Sequence, residues 1–155
     1  MSIPDFIEWN DKLSVGIQEI DEQHKRLVEL ANRLNVALLS KTGDDEASEV
    51  LDVLDKLIEY TRTHFVVEES LMRILGYPDY EEHKQHHEAL VLKVLAFRKR
   101  LQEDHRIGRV ELMEFMRDWL VNHIMKEDIL YSEHFIAHGA QRKWLKPSWF
   151  KRFWQ

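Results

Sequence analysis

Residues 64–87 read HFVVEESLMRILGYPDYEEHKQHH, and this stretch decides the fold. His64 and Glu68 stand four residues apart, as do His83 and His87. On an α-helix that interval advances about 400°, so each pair leaves one face roughly a turn apart. Between the pairs, Gly76-Tyr-Pro-Asp79 ends one helix, and Asp79 with Glu82 forms a capping box for the next. Two helices therefore face each other, each presenting a pair of polar donors. An imidazole and a carboxylate opposite two imidazoles make a nitrogen-rich, oxygen-bridged cage suited to iron or zinc.

The same rhythm extends in both directions. Over about residues 18 to 40, Ile20, His24, Leu27, Ala31, Leu34 and Leu38 alternate steps of four and three, as the buried seam of a bundle helix does. Val50, Leu54, Leu57 and Thr61 lead into His64, Glu68, Leu71 and Leu75 on the same steps, and Tyr80, His83, His87, Leu90, Val94, Phe97 and Leu101 continue them in the third helix. A fourth, about 110 to 138, starts its seam with Leu112, Met116, Trp119 and His123. Turns at 41–45 and 104–108 separate these segments. The expectation is all-α: an up-down-up-down four-helix bundle with an N-terminal arm, residues 1–16, and a short C-terminal extension. Phe6, Ile7, Trp9 and Leu13 of the arm should pack on the bundle.

With 155 residues the chain suits one domain and one core. It has no cysteine, so disulfides and thiolate metal sites are excluded and any metal must be held by nitrogen and oxygen. A net charge of −6 disfavours nucleic acid as a partner. The acidic start, MSIPDFIEWNDKL, lacks the pattern of a secretory leader, and no run is long enough to span a membrane, so a cytoplasmic location is expected.

Four helices each place histidine on the seam. Burying five imidazoles and two carboxylates without partners would cost about 1–3 kcal/mol per group, and more for each charge. Metal coordination removes most of that cost. Mutual hydrogen bonding could do so too, but gives no reason for the four-residue spacing. In the fourth helix the choice of carboxylate is open: regular geometry favours Glu127, four residues after His123, whereas a π-bulge would bring in Asp128 with Tyr131 and Phe135 behind it.

His24, His64 with Glu68, His83 with His87, and His123 with Asp128 resemble, in this order and spacing, the hemerythrins, specifically the single-domain bacterial ones. The resemblance spans residues 6 to 136 and includes Trp9, Val15-Gly-Ile-x-x-Ile-Asp-x-Gln-His24 and His64-Phe-x-x-Glu-Glu69. It selects Asp128 over Glu127. It implies a hemerythrin-like domain over 1–139 with two iron ions per chain in an oxo- or hydroxo-bridged, non-haem di-iron centre. By that analogy His83, His87 and His123 hold one iron, His24 and His64 the other, and Glu68 and Asp128 bridge them. Dioxygen would enter at the open position of the second iron, in a pocket of Leu27, Phe65, Trp119, Leu120 and Ile124. Tyr131 matches a buried family tyrosine that donates a hydrogen bond.

Two carboxylates donate less charge than the four-glutamate oxidase type of site, so high-valent iron is harder to reach. Reversible oxygen binding for storage, delivery or sensing is expected, and not an enzyme. The alternatives are a di-iron oxidase, peroxidase or nitric-oxide-consuming catalyst, or an oxygen- or iron-responsive interaction module that needs a partner. The extension, 140–155, reads AQRKWLKPSWFKRFWQ, basic and aromatic without an acid. It either folds back over the bundle or contacts an anionic membrane surface or an acidic protein.

Overall fold

The computed structural model describes residues 6–39, 44–104 and 109–139. Of the turns expected at 41–45 and 104–108, residues 41–43 and 105–108, His105 among them, lie outside the described residues, as does the extension 140–155, whereas Asp44, Asp45 and Asp104 are helical; the described residues contain helices and no strand. After a 3-10 turn (Asp11–Leu13) come α1 (Gln18–Leu39), α2 (Asp44–Ile74) and α3 (Tyr80–Asp104). The fourth rod is composite: α4 (Arg109–Arg117) passes into a π-helical stretch (Asp118–Asp128) and leaves it as α5 (Ile129–Ala137). The rods run up, down, up and down, with α1 along α2, α2 along α3, α4 against α1, and α5 returning beside α2.

The expected seams form the core. Ile20, Leu34, Leu54, Leu57, Leu112, Met116, Tyr131 and Phe135 are fully buried. Arg98 pairs with Asp55, and Arg100 grips Glu111 through two bonds of 2.8 and 3.1 Å, tying α3 to α2 and to α4.

Helix α2 stops where the sequence places glycine. Gly76 takes φ 65°, the left-handed conformation that costs a Cβ-bearing residue energy. The Gly76 N–H donates to Arg73 O and the Tyr77 N–H to Met72 O, at 3.3 and 2.8 Å, so the last carbonyls of the helix are satisfied. Tyr77 then buries its ring against Tyr131 and His134 of α5.

The arm is held by more than aromatic burial. Ile7 is buried and exchanges two backbone bonds with the Asn32 side chain, at 2.9 and 2.8 Å. Arg117 donates to Phe6 O at 2.9 Å and lies 4.0 Å over the Phe6 ring. Asp21 accepts from Ser14 Oγ and Val15 N, which fixes the chain's entry into α1.

Candidate metal centre

All four rods supply side chains to one interior space. His24 comes from α1, His64 and Glu68 from α2, His83 and His87 from α3, and His123 and Asp128 from the π-helical stretch. None of the seven is more than 6% exposed. Two overlapping sets of donor atoms result, Glu68, His83, His87, His123 and Asp128 in one, and His24, His64, Glu68 and Asp128 in the other. Within each set the atoms lie within 4.8 Å of one another, and both carboxylates belong to both sets.

The π-helical stretch decides which acid enters. Hydrogen bonding from i to i+5 widens the turn, so residues five apart share a face. Asp128 is fully buried, its Oδ1 3.1 Å from His123 Nε2 and 3.4 Å from His83 Nε2, its Oδ2 2.9 Å from His24 Nε2. Glu127 stays outside, on the far nitrogen of His123. Glu68 pairs with the Nε2 of His64.

The decisive feature is what these atoms lack. The Nε2 atoms of all five histidines and all four oxygens of Glu68 and Asp128 are buried without a hydrogen-bond partner, though several lie near an opposite charge. Such groups are costly unless something coordinates them. Nitrogen and carboxylate donors without thiolate suit iron, so the residues present fit a non-haem iron site.

Charge is distributed accordingly. Burial by itself would lower His24 and His123, but the carboxylates outweigh it, raising His24 to about 9 through Asp128 and Glu68, and His123 to about 10 through Asp128 and Glu127. Burial pushes Glu68 and Asp128 up, with repulsion from Asp128 adding to it at Glu68, yet the facing histidines win and hold both below the ordinary carboxylate range. Burial prevails at His87, which is lowered despite Glu69. Protons on imidazole thus stand where cations would sit.

Residues 15–133 match the family described as Hemerythrin HHE cation binding domain. The chain belongs to the hemerythrin family. It is similar to the bacteriohemerythrin of Stenotrophomonas maltophilia (strain R551-3), 38% identical over 136 residues that cover 88% of this chain and 86% of the relative. A bacteriohemerythrin of Pseudomonas aeruginosa (strain LESB58) is 36% identical over 152 residues, covering 94% of this chain and 95% of its own. A crystal structure of wild-type hemerythrin superposes with a TM-score of 0.75 at 33% identity, over 84% of this chain and 98% of that one.

Leu27, Phe65, Trp119, Leu120 and Ile124 are all buried. Phe65 stacks on His87 with ring centres 3.6 Å apart and meets Trp119 edge-on. His134 bonds Leu75 O through Nε2 and stacks on His138. No described helix is long and apolar enough to cross a membrane.

Three partners escape a reading based on seams alone. Gln23 lies 2.5 Å from His64 Nδ1, Glu69 3.1 Å from His87 Nδ1 and Glu127 2.8 Å from His123 Nδ1. Each is the immediate neighbour of a site residue in sequence, a signal that the spacing does contain. Outer partners of this kind fix the ring orientation of a metal-binding histidine.

Proposed function

We propose that this chain binds dioxygen reversibly at a non-haem di-iron centre, for oxygen storage, delivery or sensing. The observation that carries the reading is the convergence of five buried imidazoles and two buried carboxylates on a single space, where they face only one another. In this reading His83, His87 and His123 hold one iron, His24 and His64 the other, and Glu68 and Asp128 span both. The relatives named bacteriohemerythrin support it.

When bound, the iron pair would supply two electrons and one open coordination place for a diatomic gas. The chain's own residues set the conditions. Five neutral imidazoles and two carboxylates offset only half the charge of two Fe²⁺, which disfavours high-valent chemistry. Leu27, Phe65, Trp119, Leu120 and Ile124 wall the site with apolar surface and keep water out. Tyr131 stays protonated, since burial, then Asp128 and Glu68, raise it well above its ordinary value; its buried hydroxyl has no hydrogen-bond partner among the described residues and would be a donor available to the site.

After iron-replete expression, two iron ions per chain are expected, with a visible band that appears when the reduced protein meets oxygen and disappears under vacuum. One ion per chain, or none, refutes the reading. Sustained oxidation of an added substrate, or consumption of peroxide or nitric oxide at enzymatic rates, would replace it with the catalyst alternative.

A further inference from the structure

The donor cluster has an outer layer, and that layer is lopsided. Around His83, His87 and His123, two outward Nδ1 atoms meet carboxylates: His87 meets Glu69 at 3.1 Å and His123 meets Glu127 at 2.8 Å. The other oxygen of Glu127 is braced by His86 Nδ1 at 2.9 Å. Around His24 and His64 no carboxylate plays this part among the described bonds. His64 Nδ1 meets the neutral amide oxygen of Gln23, and His24 Nδ1 is buried without a partner.

A carboxylate that accepts the Nδ1–H of a metal-bound imidazole makes the ring a stronger donor, and a charged acceptor binds that proton roughly twice as strongly as a neutral one. Stronger donation favours the higher charge on iron and slows its release. The local sequence produces the asymmetry: Glu69 follows Glu68 and Glu127 precedes Asp128, so each acid inside the site has an acid outside it. Gln23, beside His24, is the uncharged counterpart on α1.

We propose that this layer ranks the two metal positions: Glu69 and Glu127 are positioning residues that make the three-histidine position slow to exchange and ferric-preferring, while Gln23 leaves the His24–His64 position exchangeable. The ranking rests on the di-iron reading above and extends it to the order in which iron leaves.

The test uses the full chain, loaded with iron under nitrogen and then mixed with excess ferrous chelator. Wild type should release iron in two phases of equal amplitude. Glu127→Gln and Glu69→Gln keep shape and remove charge, and each should speed the slow phase by about tenfold or more while sparing the fast one. Gln23→Glu should slow the fast phase. The midpoint potential of the slowly released iron should rise in Glu127→Gln, a change that loosened folding would not confine to one ion. Glu69 and Glu127 are partly exposed, at 18% and 32%, so their variants decide the matter alone if buried Gln23→Glu fails to fold. Single-phase release from wild type, or equal changes in both phases, overturns the ranking and leaves the iron count intact. A wild-type chain with no iron to release overturns the di-iron reading, and the ranking with it.

Discussion

Metal loading should depend steeply on pH, because protons occupy the inward nitrogens. Burial opposes the charge on His24 and His123, but the facing carboxylates raise them to about 9 and about 10. One of these histidines belongs to each donor set, so each ion displaces about one proton. Apparent affinity then rises nearly tenfold per pH unit below 9, about 20- to 30-fold between pH 7 and 8.5, or about 2 kcal/mol per ion. Zn²⁺ is a redox-inert probe. Competition against a chelator of known protonation gives the affinity, and calorimetry in two buffers of different ionisation enthalpy counts the protons. Flat affinity with no proton release would refute the reasoning. The metal-free fold has the opposite trend. The folded values of His24 and His123 exceed the ordinary 6.5, so their stabilisation is complete below 6.5 and fades as pH rises through about 9 and 10. Glu68 and Asp128, held low, stabilise above their ordinary values and lose that contribution in acid. Metal-free protein should therefore melt at lower temperature at pH 9.5 than at pH 7, and loaded protein should not.

His83→Ala should reduce bound iron to about one ion per chain, read by elemental analysis; two retained ions would remove His83 from the centre. Leu27→Trp places a larger ring one helical turn from His24 and should keep both ions while slowing oxygen uptake in stopped flow. Gly76→Ala meets no atom within 4 Å but must hold φ 65°, so denaturant unfolding should show a loss of about 1–2 kcal/mol without loss of metal.

The bundle was legible in the sequence because burial follows strict steps of four and three. His24, His64, Glu68, His83 and His87 needed only that arithmetic to share an interior. Asp128 did not yield to it: Glu127 is one residue away and chemically equivalent in the text, and the choice depends on backbone hydrogen bonds that leave no compositional mark. The outer bonds of Gln23, Glu69 and Glu127 were hidden for a related reason. They run from a helix flank to a ring on the same or a neighbouring rod, and a seam pattern describes only what points inward. The clamp of Asn32 on Ile7 is a contact across 25 residues with no periodic signature.

Helix four carries surplus backbone between Asp118 and Asp128, and this keys its two halves to each other like the parts of a bayonet fitting. Were the rod to relax to ordinary winding at its present length, everything beyond it would turn by about 100°. Tyr131 and Phe135, now wholly enclosed, would swing toward solvent, and Leu130, now 60% exposed, would turn with them. Removing one residue between His123 and Asp128 would instead restore ordinary winding with Tyr131 and Phe135 still facing inward, because the acid would then stand four places after His123.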